Sequence, residues 1–240
     1  MTTARFEARL VDVASEPYRA AGRFAYHFAR GKLSGDPAFR ALLRHGWLRD
    51  SRQLVDLGCG QGLLFAWLAA ARQAHAAGDW PTDWPAPPAW RSYIGIDFRP
   101  EDVERARIAA NGGATVVQGD LNDAVLPAGD AFLLLDVLHY LPADSQLSLL
   151  ARIHERLPAG GVLLARVGDA AAGLRFRLGT WVDRAVMFAR RYRASDLHCR
   201  AVSEWQAVLA RAGFRSETVP LSEGTMFANV LLIAHAVERG

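Results

Sequence analysis

Seven short apolar runs, separated by stretches of helical period, constrain this chain more than any other feature it has. They read RQLVDLG (52–58), SYIGIDF (92–98), ATVVQGD (114–120), DAFLLLDVL (130–138), GVLLARVG (161–168), FRSETVPL (214–221) and NVLLIAHAV (229–237). Runs that are largely apolar rather than alternating belong to strands covered on both faces, and their alternation with helices predicts a doubly wound, mostly parallel α/β sheet. The helices carry their own punctuation. Pro100 opens one that Asn111-Gly112-Gly113 closes, and Leu147, Leu150, Ile153 and Leu157 recur at helical spacing before PAGG. Ser203-x-x-Gln206 reads as a capping box for a helix through Trp205, Val208, Leu209 and Ala212 that Gly213 stops.

The first run ends in VDLGCGQG (55–62), with glycines at alternate positions. Glycine-rich turns after a strand cradle phosphates, but a dinucleotide fingerprint is G-x-G-x-x-G, and Asp56 would repel a diphosphate. The ligand should carry a positive group. Open sheets bind ligands beyond the carboxyl ends of their strands, where Asp56, Asp97, Asp120 and Asp136 end the first four runs. One aspartate there is ordinarily a turn former; four in succession, one joined to the glycine turn, mark a site. Asp97 suits two ribose hydroxyls, while Asp120 with the Leu121 N–H suits an adenine edge, and Phe98 offers an apolar surface to the base. The glycines admit an amino-acid tail, whose ammonium Asp56 favours. The ligand so described is a nucleoside joined to an amino acid.

Asp56-x-Gly58-x-Gly60-x-Gly62, followed in order by GIDF, QGDL, LLLDVLHYLP and LPAGGVLLA, resembles the class I S-adenosylmethionine-dependent methyltransferases over residues 50–236. The resemblance implies a Rossmann-like sheet of seven strands with the last antiparallel, helices on both faces, and S-adenosyl-L-methionine as cofactor, leaving S-adenosyl-L-homocysteine. It implies cofactor contacts at Asp56, Gly58, Cys59, Gly60, Gly62, Asp97, Phe98, Asp120, Leu121, Asp136 and Val137. Asp97 lies 39 residues beyond Gly58 rather than about 20, and a Trp/Pro-rich excursion at 73–91 accounts for the surplus. That excursion reads as a surface insertion, a lid or a partner contact; a second insertion occupies 170–200.

Methyl transfer needs alignment of acceptor and methyl donor, and often removal of a proton. His139, three residues past Asp136, is the nearest candidate base, with Tyr26 and His27 as alternatives; His139 and Tyr140 could equally line the cofactor. DVLH is not the [DNS]-P-P-[YFW] run of amino-methyltransferases acting on nucleic acid or protein amides, which disfavours base flipping. EPYRAAGRFAYHFARGKL (16–33) predicts one helix, with Tyr18, Gly22, Ala25 and Ala29 on a packing face and Arg19, Arg23, Tyr26 and Arg30 on an aromatic–cationic one. Such N-terminal helices commonly roof the acceptor in the family, so residues 1–50 are expected to roof a 51–240 cofactor domain, with Tyr18, Arg19, Arg23, Tyr26, Arg30, His139 and Tyr140 contacting the acceptor. The wording of this helix is also similar to methyltransferases found with bacterial aryl polyene pigment genes.

Charge bears on the partner. The net charge is +3, but residues 1–50 hold +4 and 174–200 hold +5, leaving −6 for the rest. The two basic blocks are either solvated surface or a site for an anionic acceptor or an acidic acyl carrier protein. Two cysteines, Cys59 and Cys199, without zinc spacing, fit a reducing cytoplasm and no metal; the N-terminus lacks a secretory h-region and no apolar stretch could span a bilayer. The expectation is a cytoplasmic enzyme methylating a small aromatic or carboxylate-bearing acceptor in a bacterial biosynthetic pathway. The rivals are an RNA-modifying methyltransferase, a non-catalytic cofactor-binding scaffold and, far behind, a nicotinamide oxidoreductase.

Overall fold

The computed structural model describes residues 2–171, 197–221 and 228–237. All seven expected strands are present: β1 Gln53–Leu57, β2 Ser92–Asp97, β3 Thr115–Gln118, β4 Ala131–Leu135, β5 Val162–Gly168, β6 Phe214–Pro220 and β7 Asn229–Ala236. They form one sheet in the order β3-β2-β1-β4-β5-β7-β6. β1, β2 and β3 pair in parallel, and β7 runs antiparallel to both β5 and β6. The chain divides into two compact units, residues 1–131 and 132–240.

In the first unit, α1 (Thr3–Ser15), a 3-10 turn (Glu16–Arg19), α2 (Arg23–Gly35) and α3 (Pro37–His45) precede β1, and α4 (Leu63–Ala76) and α5 (Pro100–Ala110) come after β1 and β2 respectively. The single helix expected over 16–33 is instead a 3-10 turn and a separate α-helix. Gly22, at φ 101°, takes a backbone conformation open almost only to glycine, and the chain breaks there. The small-residue face survives the break, since Tyr18, Ala25, Ala29 and Leu33 are all buried. Pro100 and Asn111 bound α5 as expected, Asn111 in the left-handed region at φ 44°.

The Trp/Pro excursion is shorter than 73–91, because Gln73–Ala76 forms the last turn of α4. Trp80 and Trp84 pack against the N-terminal helices, while Trp90 packs on Phe65 of α4 and Tyr93 of β2. Phe6 of α1 meets Trp80 and Trp84 edge-on, each at 5.6 Å, and the Arg44 guanidinium of α3 lies over Trp84. Three aromatic rings and an ion pair between Arg9 and Asp79 at 3.0 Å thus fasten α1 to the insertion.

In the second unit, β4 leads through a 3-10 turn (Leu138–Tyr140) into α6 (Ala143–Arg156), and α7 (Val202–Arg211) precedes β6. α6 buries Gln146, Leu149, Leu150 and Ile153. The capping box is displaced from Ser203: α7 starts at Val202, and the Glu204 carboxylate accepts from the Ala201 N–H at 2.8 Å. Glu204 stands three residues after Ala201, where that reach is geometrically available, and Ser203 is already inside the first turn. The insertion expected at 170–200 lies largely outside the described residues, as do Arg190, Arg191 and Arg193.

Candidate functional site

The glycine turn is built by its own backbone. Gly58, Gly60 and Gly62 all have positive φ, at 72°, 53° and 74°, a sequence of conformations that side chains would strain. The Gly58 and Cys59 N–H groups both donate to the Ile96 carbonyl, at 2.7 and 3.1 Å, which ties the turn to β2. Gly95 makes this possible, because a Cβ there would stand 2.8 Å from the Cys59 Sγ. At Gly60 a Cβ would meet nothing within 4 Å, so the turn keeps open space there.

Two carboxylates meet this turn. Asp97 accepts from the Gly60 N–H at 2.9 Å through Oδ2 and from the Arg99 N–H at 3.0 Å through Oδ1. Burial raises its pKa, opposed by those two N–H groups. Asp56, only 3% exposed, accepts from the Tyr93 hydroxyl at 2.7 Å. Desolvation pushes its carboxyl up to about 7, against the Tyr93 hydrogen bond and with the Asp97 charge adding to the rise. Tyr18, predicted on the acceptor side, is buried beneath the turn, its hydroxyl donating to the Gln61 carbonyl at 2.9 Å.

Asp120 does not end a strand, because β3 stops at Gln118; it lies exposed in the next turn, where its Oδ1 accepts from the Asn122 backbone and side-chain N–H groups. Leu121 is buried beside it, and Phe98 leaves half of its surface exposed, at 50%. The N-terminal cationic face is largely committed within the chain. Arg19 pairs with Glu16 at 2.8 Å, lies over the Tyr26 ring at 4.1 Å and donates to its hydroxyl at 3.0 Å, while Arg30 pairs with Asp12. Arg23 and His27 are exposed.

In the second unit Asp136 comes directly after β4, at the unusual φ of 60°. Arg166 of β5, 2% exposed, holds it through both Nε, at 2.6 Å, and Nη2, and the Arg166 carbonyl accepts from the Asp136 N–H. Arg166 escaped the sequence reading, although a lone arginine inside GVLLARVG signals a buried partner for its charge. His139 is 6% exposed, and its Nε2 has no hydrogen-bond partner among the described residues. Burial lowers its pKa and the Arg166 charge lowers it further, while Asp136 opposes both. The turn carrying it is braced by Gln146, whose Nε2 stands 3.0 Å from each of the Leu138, Leu141 and His198 carbonyl oxygens, which share its two N–H donors. Val137 starts this turn, and Tyr140 packs on His139 with ring centroids 4.2 Å apart.

The donor set fits S-adenosylmethionine. A turn with open space at Gly60, a carboxylate enclosed behind it and a second carboxylate at the end of β2 suit an amino acid joined to a ribonucleoside. No group of three or more His, Cys, Asp and Glu placed to hold a metal occurs among the described residues, nor does any described helix have the length and apolarity to cross a membrane.

Residues 55–163 match the family model described as a methyltransferase domain. No curated protein matches the sequence. Among solved structures, an O-methyltransferase family protein from Burkholderia thailandensis is 20% identical, with 95% of this chain and 62% of that one covered at a TM-score of 0.64. An O-methyltransferase family 2 protein from Planctomyces limnophilus, in complex with apigenin, is 21% identical over 79% of this chain and 52% of that one, with a TM-score of 0.57. The O-methyltransferase of neocarzinostatin biosynthesis, in complex with S-adenosylmethionine and 2-hydroxy-5-methyl naphthoic acid, is 21% identical over 94% and 60%, with a TM-score of 0.59. The chain therefore spans between half and two thirds of the length of these structures.

Proposed function

We propose that this chain is a class I S-adenosylmethionine-dependent methyltransferase and that it methylates a small aromatic or carboxylate-bearing acceptor, a reading supported by the methyltransferase-domain match over residues 55–163 and by the fold of its structural neighbours. The observation that carries the reading is the grip of Asp97 on the Gly60 N–H, with Asp56 enclosed behind the same turn. Asp97 would hold the ribose hydroxyls, Asp120 and the Leu121 N–H the adenine edge, and Asp56 the ammonium. When bound, the cofactor supplies an electrophilic methyl group on a sulfonium.

The rest falls to this chain's own residues. His139 takes the proton of an acceptor hydroxyl at Nε2, for which its enclosure in a poorly solvated position keeps the imidazole neutral and ready to accept. Arg166 clamps Asp136, and Gln146 holds the turn on which His139 sits. The Arg23 guanidinium and the Tyr26 hydroxyl face solvent or its edge on α2 and are available to an acceptor carboxylate. The relatives crystallised with apigenin and with a naphthoic acid support an aromatic acceptor. A carrier-bound form of that acceptor would give the basic block at 174–200 an acidic partner.

The test is transfer of labelled methyl from S-adenosylmethionine to hydroxybenzoate-type acceptors, offered free and as carrier-protein thioesters, with Asp97→Ala as blank. Label on the thioester alone establishes a carrier-dependent enzyme; label on the free acid makes the basic blocks ordinary surface. Label on neither, with binding of the cofactor intact, removes this acceptor class.

A further inference from the structure

The face of α6 that buries Leu149, Leu150 and Ile153 also carries Gln146, whose side chain is fully enclosed, at 0% exposure. A leucine would suit that place by burial alone, whereas an amide shut away from water costs free energy unless both of its ends are met. They are met in one direction only. Nε2 faces the Leu138, Leu141 and His198 carbonyl oxygens, and Oε1 accepts from the Arg200 Nε at 2.9 Å. Turning the amide over would set its oxygen against three carbonyls and its N–H groups against a guanidinium. Arg200 is itself held, its carbonyl accepting from the Ala170 N–H at 3.1 Å and its Cζ standing 5.6 Å from the centre of the Trp205 ring.

The three carbonyls surround His139. Leu138 precedes it, Leu141 follows two residues on, and His198 lies across from it, its N–H donating to the His139 carbonyl at 2.9 Å. His139 Nε2 has no hydrogen-bond partner among the described residues, so no bond at that atom aims the ring, and the backbone beneath it must. We propose that the Gln146 carboxamide, anchored by Arg200, is a positioning residue for the His139 imidazole. This rests on the reading of His139 as the base. One side chain gathers the chain before His139, the chain after it and the segment opposite. These partners all belong to the second unit, whereas the glycine turn with Asp56 and Asp97 belongs to the first, so affinity for the cofactor serves as an internal control.

The test follows the imidazole directly. Burial and Arg166 of β5 keep it neutral, Asp136 after β4 opposes them, Tyr140 packs on the ring, His198 meets it through the main chain and the Arg200 charge stands behind Gln146. The wild type, Gln146→Leu, Gln146→Glu and His139→Asn are compared by NMR of the histidine ring C–H signals against pH, the His139 signal being the one missing from His139→Asn, and by steady-state transfer from S-adenosylmethionine to a hydroxybenzoate. In Gln146→Leu the loosened ring meets water, so its titration midpoint should rise toward the ordinary histidine value. Its kcat should fall at least about tenfold, but by no more than in His139→Asn, with affinity for S-adenosylhomocysteine held within about twofold. Gln146→Glu, close in shape, keeps Arg200 as a partner but sets a carboxylate oxygen against the three carbonyls; it should show the same changes, and it carries the test if the leucine variant does not fold. The titration needs no acceptor. An unmoved His139 midpoint overturns the assignment, and so does kcat kept in both Gln146 variants while His139→Asn loses it. Full kcat in His139→Asn overturns the base reading, and this assignment with it.

Discussion

Enclosing the Asp56 carboxyl works against the ligand-free chain and for the bound one. Its folded pKa, about 7, stands above the unfolded value of 3.8, so from about pH 4 to about pH 7 the folded chain keeps a proton that the unfolded chain has lost. Stability from this group falls as pH rises through that window, and the penalty is complete above it. Asp56→Asn should accordingly melt higher than the wild type at pH 8, by a margin that shrinks as pH is lowered toward 4, in differential scanning calorimetry of the ligand-free protein. A cation beside the carboxylate reverses the preference. Binding of S-adenosylhomocysteine near pH 6.5 should release up to about one proton, read from calorimetry in buffers of different ionisation heat, and Asp56→Asn should abolish the release. His139 gives a second prediction at this scale. If it accepts the acceptor's proton, His139→Asn lowers kcat by about 10²–10⁴ and removes the acid limb of the pH profile; loss of stability with kcat intact would reduce it to packing.

At the scale of elements, the N-terminal helices are fastened at particular points. Trp84 is buried against Phe6 and under Arg44, so Trp84→Ala should cost about 3–5 kcal/mol in urea denaturation, with hydrogen-exchange protection falling first in α1 and α3. Gly22 is a hinge of a different kind. A Cβ there would touch nothing within 4 Å, so any cost of Gly22→Ala comes from φ 101° alone, about 1–3 kcal/mol. The break at Gly22 was not legible from the sequence, because Tyr18, Ala25 and Ala29 keep helical spacing across it; only the backbone conformation reveals it. Arg166 and Asp136 illustrate the opposite case. A charge inside an apolar run calls for a partner, a signal the sequence reading passed over, and the fold supplied which one. Arg166→Met strands a carboxylate and should cost about 3 kcal/mol by chemical denaturation.

For the whole molecule, the charge distribution carries a prediction that the sum of +3 conceals. Much of the positive charge in residues 1–50 is spent on ion pairs with acids of the same unit: Arg9 with Asp79, Arg19 with Glu16, Arg30 with Asp12, Lys32 with Asp36, Arg44 with Glu7. Any docking of an acidic carrier should therefore depend on the block at 174–200. Arg190→Glu, Arg191→Glu and Arg193→Glu together should raise the KM for a carrier thioester and flatten its salt dependence, with the free acid unaffected.

The sequence by itself determined the strands, their alternation with helices and the glycine turn with its aspartate, because these depend on local chemistry: runs of apolar side chains, prolines and glycines, a carboxylate at the end of a run. It also put Asp97 at the end of the second run; that its carboxylate accepts from the Gly60 N–H is shown by the folded chain alone. Tertiary structure decided what depends on neighbours distant in the chain. Tyr93 stands 37 residues from the Asp56 it holds, Tyr18 lies 43 residues from the Gln61 carbonyl, and Arg166 is 30 residues from Asp136. No periodicity encodes such pairs. They arise because burial disfavours a polar group without a partner, and only the folded chain determines which partner is near.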